Sequence, residues 1–253
     1  MPDASTERTL RMIVLRSTLF NLYFFGVTFV LSLAGMPLVL FAPHRVPAIA
    51  MLWARLVVGG ARVICGIRLE VSGREWLPTG GAALIASLHQ SAFDTVVWLT
   101  LLPRCCYVLK RELARIPMFG LLIRKSGMIA VDRAAGALSV RHLLREADRA
   151  VREEQQIVIF PEGTRGAPGQ PLPLQPGIAA IASRTRLPVI PVITDSGLLW
   201  GRRAFHKYPG VIHIEIRPPL QAGTPRETLM RQLDSVFRSG ITPAPASVDK
   251  FVD

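Results

Sequence analysis

From Ser17 to Pro43 the chain carries no charged side chain, and the run includes Leu19, Phe20, Leu22, Phe24, Phe25, Val27, Phe29, Val30, Leu31 and Leu33. A helix of about 20 apolar residues crosses the hydrocarbon core of a bilayer, so this segment is long enough to span one. A secretory signal would hold about 7–15 apolar residues before a small-residue cleavage site. Here the run continues through Met36, Leu38, Val39, Leu40 and Phe41, with cleavage at Ala34-Gly35 as the alternative. Gly35 and Pro37 are expected to interrupt the helix, because proline removes a backbone donor and clashes with the preceding turn. A second apolar segment, Val46 to Ile67, carries Arg55 and Arg62 on nearly one helical face. That pattern suits a membrane interface better than a full span. Two pictures follow: one spanning helix, or a bent helical pair inserted into one leaflet, which accommodates the two arginines better. A buried core helix is the remaining alternative. Arg8, Arg11 and Arg16 precede the run and Arg45 follows it, so the positive-inside rule does not fix an orientation.

Half of the 253 residues are hydrophobic and 19% are charged, which excludes an intrinsically disordered chain. The length is ample for a core without a disulfide or metal staple. Thirty Lys and Arg against eighteen Asp and Glu give a net charge of +12, which calls for a polyanionic partner. Nucleic acid, acidic lipid headgroups and phosphorylated substrates all fit that charge. The three cysteines, Cys65, Cys105 and Cys106, lack the spacing of a zinc site or a disulfide framework and read as reduced, mostly buried thiols.

Beyond Gly66 short β-prone runs alternate with helical stretches. Strands are expected at Arg68–Val71, Ala83–Leu88, Cys105–Leu109, Met128–Val131, Ile157–Phe160, Val189–Val192 and Ile212–Ile216. Helices are expected at Phe93–Leu101, Met118–Lys125, Ala137–Glu153, Gly177–Arg184 and Arg226–Arg238. This alternation implies an α/β sheet with helices on both faces. The organisation reads as a membrane-associated helical segment (1–65), an α/β domain (66–241) and a C-terminal tail (242–253). No Walker-type loop occurs and no GxGxxG follows a strand, so a dinucleotide fold has no support.

The strand ending at Leu88 runs into His89-Gln90-Ser91-Ala92-Phe93-Asp94. In open α/β sheets ligands bind beyond the carboxyl ends of strands, where His89 would sit as a general base. Asp94 can reach back to the imidazole, or it can serve only the helix start through a Ser91-Asp94 capping box. A second cluster, Phe160-Pro161-Glu162-Gly163-Thr164-Arg165, also follows an apolar strand. Its glycine allows close backbone approach and its arginine offers a planar fork for phosphate. Asp132-Arg133 follows a third strand and could add a second guanidinium to the same rim. Taken singly, these charges are equally consistent with surface ion pairs.

In this order the blocks resemble the glycerolipid acyltransferase family, specifically 1-acyl-sn-glycerol-3-phosphate acyltransferases. His89 and Asp94 match its first motif, and Gly73-Arg74-Glu75-Trp76-Leu77-Pro78 resembles the lead-in to it. Lys110-Arg111-Glu112-Leu113, Ile116-Pro117-Met118-Phe119-Gly120 and Val131-Asp132-Arg133 match the second. Pro161 to Arg165 match the third and Val189-Ile190-Pro191-Val192 the fourth. A lysine often precedes the glycine after the third-motif loop, whereas this chain has Gln175-Pro176-Gly177, one positive charge fewer.

The resemblance implies a mixed α/β sheet flanked by helices, and transfer of a fatty acyl group from acyl-CoA or acyl-carrier protein to the sn-2 hydroxyl of lysophosphatidic acid. His89 would be the base and Asp94 its orienting partner. Arg133 and Arg165 would hold the acceptor phosphate, with Glu162, Gly163 and Thr164 near the glycerol end and Lys110 as a further phosphate or carrier contact. No metal, cofactor or nucleic acid enters the reading; the partners are membrane lipids and the two substrates. The expected location is the inner (cytoplasmic) membrane, with the active site on its cytoplasmic side. Competing readings are an acyltransferase for lyso-ornithine lipid or a lysophospholipid, a hydrolase with His89 acting on water, and a basic membrane- or nucleic-acid-binding module.

Overall fold

The seven β-prone runs and the apolar N-terminus assemble around one sheet. The computed structural model describes residues 4–116, 119–132 and 136–240. Pro117, Met118, Arg133 and the tail from Thr242 therefore lie outside the described residues. The strands are β1 (Ile67–Ser72), β2 (Ala83–Ser87), β3 (Cys105–Lys110), β4 (Ile129–Val131), β5 (Gln156–Ile159), β6 (Val189–Thr194) and β7 (Gly210–Ile216). They form a seven-stranded sheet in the order β1-β7-β6-β2-β5-β3-β4. Neighbours are parallel except β6 and β7, which pair antiparallel. The carboxyl ends of β6, β2, β5, β3 and β4 consequently share one rim, while β1 and β7 run the other way. Both faces of β2 are buried, as its unbroken apolar run Ala83-Leu84-Ile85-Ala86 requires.

The helices are α1 (Ala4–Phe41), α2 (Val46–Gly60), α3 (Asp94–Leu101), α4 (Phe119–Lys125), α5 (Gly136–Arg152), α6 (Gly177–Thr185) and α7 (Arg226–Ser239). Ile85, Val158, Val192 and Ile212 bury one face of the sheet against α1, α2 and α3, through Phe20, Val57, Phe93 and Trp98. Leu84, Ile157 and Val189 bury the other against α5, α6 and α7, through Leu143, Ile178, Leu233 and Phe237.

The expected interruption at Gly35 and Pro37 does not occur: α1 runs unbroken for 38 residues with Pro37 inside it. The proline is exposed, so its missing N–H removes one bond from a helix already nucleated on both sides. Gly35 serves packing instead, since a Cβ there would stand 3.0 Å from Leu122 Cδ2 of α4. The helix turns back at Pro43–Arg45 into α2, which continues as a π-helical turn over Ala61–Cys65. Trp53 Nε1 donates to Thr28 Oγ1 at 2.9 Å and Tyr23 OH donates to the Leu56 carbonyl at 2.9 Å, closing the pair. Both helices are long and apolar enough to cross a membrane, and only 17% and 22% of their apolar windows are buried. Each helix therefore gives one stripe to the core and leaves most of its apolar surface open, unlike a helix buried on all sides. Leu19, Leu22, Phe25, Phe29, Val30 and Leu33 stand on an open apolar face, and Arg55 and Arg62 are both exposed.

Candidate active site

The Leu88 N–H still donates to the Val192 carbonyl of β6 (2.9 Å), so the sheet holds the chain up to the residue before His89. The His89 peptide is then clamped from both sides by the 162–166 segment. Its N–H donates to Glu162 Oε2 at 2.6 Å and its carbonyl accepts from the Gly166 N–H at 2.8 Å. The imidazole stacks on the Phe160 ring, with centroids 4.1 Å apart and planes 21° from parallel. Among the described residues only its Nδ1 edge is engaged in a hydrogen bond, 3.1 Å from Asp94 Oδ2. That contact places the neutral ring's proton on Nδ1 and leaves Nε2 as the acceptor.

Asp94 is 2% exposed and surrounded by donors. Its Oδ2 accepts from Gln90 N (2.7 Å) and Ser91 N (2.8 Å), and its Oδ1 accepts from Ser196 Oγ (2.5 Å). Ser91 Oγ in turn accepts from the Phe93 N–H at 3.0 Å, a turn over two residues; the expected capping box does not form, because α3 begins at Asp94 with Phe93 at its cap and no side chain bonded there. The Asp94 carboxylate instead ties the turn that precedes α3 to the imidazole.

The third-motif loop begins with a turn in which the Gly163 N–H donates to the Phe160 carbonyl at 3.0 Å. Gly163 has φ 72°, the left-handed region where a side chain would be strained, so the glycine is needed for the chain to double back. Glu162 is 6% exposed, with Oε2 accepting from the His89 peptide. Burial is the main reason its carboxyl is pushed up to about 7; the Asp94 charge adds to this and the His89 N–H opposes it. Thr164 is exposed and Arg165 half-buried. Burial lowers the proton affinity of the Arg165 guanidinium, Asp94 raises it, and Arg202 and Arg203 lower it. No carboxylate pairs with Arg165 among the described residues. Lys110, exposed at the end of β3, stands in register with Val131 just before Asp132, and Asp132 Oδ2 lies 3.3 Å from Arg111 Nη1.

The structure thus brings His89, Asp94, Glu162 and Arg165 together on the strand-end rim, with Lys110 farther along it; Arg133 is outside the described residues. Sequence reasoning missed Ser196, 102 positions from Asp94, and Gln90, whose Oε1 accepts from the Gly197 N–H at 3.2 Å. One signal was present: Asp195-Ser196-Gly197 directly follows the strand whose parallel pairing with β2 brings the two strand ends side by side. Among the described residues no group of three or more His, Cys, Asp or Glu side chains gathers to hold a metal. Burial pushes the thiol of Cys106 up to about 12 and raises that of Cys105 well above the ordinary range, as expected for inert interior cysteines.

The His89–Asp94 pair stands on the rim of a mixed sheet, and the chain that carries it matches a known family. The family model described as Acyltransferase matches residues 68–195, about half of the chain. The chain belongs to the acyltransferase family. It is similar to the 1-acyl-sn-glycerol-3-phosphate acyltransferase of Pseudomonas aeruginosa, at 35% identity over 67% of this chain and 66% of that one. The enzyme of the same name from Limnanthes alba is 30% identical over 78% of this chain and 71% of its own. The aligned segment spans just under two thirds of the Pseudomonas protein. Among solved structures, the 1-acyl-sn-glycerophosphate acyltransferase PlsC from Thermotoga maritima shares the fold. Its TM-score is 0.72 at 24% identity, covering 90% of this chain and 95% of that one.

Proposed function

We propose that this protein transfers a fatty acyl group from an acyl thioester to the sn-2 hydroxyl of lysophosphatidic acid, giving phosphatidic acid. The observation that carries the reading is an imidazole whose Nδ1 is held by buried Asp94 and whose Nε2 has no hydrogen-bond partner among the described residues, with a half-buried guanidinium at Arg165 that no described carboxylate pairs. His89 Nε2 takes the proton of the acceptor hydroxyl as its oxygen attacks the thioester carbonyl. The imidazolium that forms is stabilised by Asp94, which is the His–Asp half of a triad with the substrate alcohol in the serine's place. Collapse of the tetrahedral intermediate breaks the carbon–sulfur bond, and the proton leaves with the thiol. No acyl-enzyme forms and no cofactor is required beyond the thioester, carried by coenzyme A or acyl-carrier protein.

Arg165, with Arg133 and Lys110 as further cations, would hold the phosphate, since charge-assisted bidentate contacts suit a phosphate monoester. Glu162 fixes the His89 peptide rather than the glycerol, leaving the Gly163 and Thr164 backbone for that end. The open apolar face of α1 and α2 suits insertion into one leaflet of the inner membrane, with the rim facing the cytoplasmic headgroup layer. A site at that depth meets its lysolipid without drawing an acyl chain into water. The test offers the purified protein, in detergent and in liposomes, labelled acyl-CoA and acyl-carrier protein with a panel of lyso-lipids. Phosphatidic acid as the main product is expected. Preferential acylation of lyso-ornithine lipid or another lysophospholipid would overturn the acceptor assignment.

A further inference from the structure

The loop between β6 and β7 carries two arginines that no motif above includes. At its tip, Gly201-Arg202-Arg203-Ala204 forms a turn closed by the Ala204 N–H donating to the Gly201 carbonyl at 3.2 Å. Arg202 and Arg203 occupy its two central positions. Arg203 sits at φ 57°, a left-handed conformation that glycine or asparagine adopts more easily. A long cation in a strained turn position is a reason to look for function there.

The turn is fixed from three sides. Gly197 N donates to Gln90 Oε1 at 3.2 Å, tying the loop to the His89 segment. Lys207 is buried; its N–H donates to Ser17 Oγ at 2.9 Å and its Nζ to Asn21 Oδ1 at 2.7 Å, tying the loop to α1. Trp200 packs edge-on against Phe20 of α1, with centroids 5.1 Å apart. The turn tip therefore has a defined place, between the apolar helix and the site.

From that place Arg202 Nη1 donates to the Arg165 carbonyl at 3.4 Å. Both turn arginines lie close enough to lower the proton affinity of Arg165. Neither makes an ion pair among the described residues, and both are exposed. Arg202 and Arg203 thus add positive charge at Arg165, where the Asp94 carboxylate is the anion that offsets it.

We infer that Arg202 and Arg203 form, with Arg165, the binding site for a phosphate monoester headgroup, and that they set the preference for a phosphorylated acceptor. An acyl chain lying along α1 would bring its headgroup to this turn. The inference rests on the proposed acceptor reaction and deepens it by naming residues of its specificity.

The same ligand chemistry could come from the acceptor lipid, the diphosphate of coenzyme A or the anionic membrane surface, so the experiment has three arms. The full chain is compared with Arg202→Ala, Arg203→Gly and the double variant, and with an Arg226→Ala/Arg231→Ala control on α7 that removes equal charge elsewhere. Apparent KM is measured for lysophosphatidic acid in neutral detergent micelles and for acyl-CoA, and binding to phosphatidylglycerol vesicles is followed by sedimentation. Loss of charge-assisted contacts should raise the lysophosphatidic acid KM by about three- to tenfold for each single variant and about 30-fold for the pair. The acyl-CoA KM should move less than twofold. Arg203→Gly relieves the left-handed strain, so its melting temperature should stay level or rise while acceptor affinity falls.

A rise confined to acyl-CoA, a change confined to vesicle sedimentation, an equal effect in the α7 control, or no change at all would each overturn the assignment. If the wild type acylates no lysophosphatidic acid, it is the acceptor reaction that fails. If the wild type turns over normally and the variants match it, only the arginine assignment fails.

Discussion

Asp94 is ringed by donors, and these surroundings decide what an amide in its place would do. Three N–H groups face Oδ2 and a hydroxyl faces Oδ1. In Asp94→Asn the amide oxygen would take the Oδ2 position and the NH2 would donate to Ser196 Oγ. The helix start and the His89 tautomer both survive, and only the negative charge is lost. The serine-protease template loses about 10⁴-fold because the wrong tautomer is held. We expect about 10²-fold here, with the melting temperature within a few degrees; near wild-type turnover would leave Asp94 holding the turn before α3 alone. Ser196→Ala should lower kcat by about tenfold with little change in KM, the worth of a hydrogen bond to a charged group. In the Asp94→Asn background the same change should add almost nothing, because the charge it supported is gone. Full additivity would show that Ser196 acts elsewhere. Glu162 gives a pH signature. Its carboxyl is raised from 4.5 to about 7, so between those values the folded state binds the extra proton. Stability should therefore fall as pH rises through that window, by at most about 3 kcal/mol. Glu162→Gln keeps an acceptor for the His89 N–H and lacks the titration, so chemical denaturation across pH 4–8 should show the variant gaining on the wild type as pH rises. A constant difference would contradict the burial account.

At the scale of elements, the strands and the helices after Gly66 were legible because their apolar runs are short, bounded and buried on both faces, as in β2. The antiparallel pairing of β6 with β7 carried no local signal, since register and direction depend on the long loop between them. The path of α1 was misjudged at Pro37 because the proline rule weighs one turn, whereas 38 residues propagate as a unit. Ser17 and Asn21 look like neutral spacers in an apolar run, yet they receive the buried Lys207. The motif residues were legible as types and spacing, but Glu162 reads as a ligand until its burial is known. Two variants separate the faces of α1. Phe20→Ala removes a fully buried ring beneath Trp200 and should cost about 3–5 kcal/mol in denaturant titration. Phe25→Ala/Phe29→Ala changes two rings that are 67% and 63% exposed, and should leave folding within about 0.5 kcal/mol. That double variant should weaken vesicle binding measurably; unchanged sedimentation would remove the outer face of α1 from the membrane contact.

In the whole molecule, an apolar helical pair and a cationic turn are both tied to the segments around His89 on the strand-end rim, the three kinds of surface that the tail, phosphate and hydroxyl of a lysolipid would need. The net charge of +12 supports approach to an anionic surface without choosing the substrate. The proposed choice rests on chemistry at His89, where an alcohol rather than water would be the nucleophile. The most direct measurement follows lysophosphatidic acid and an acyl thioester by mass spectrometry, with the wild type and His89→Ala at matched folded fraction. The account predicts phosphatidic acid in stoichiometric step with thiol release, and a rate about 10²–10⁴-fold lower in the variant with unchanged melting. Free fatty acid in place of phosphatidic acid, or a His89→Ala variant that keeps most of its turnover, would contradict it.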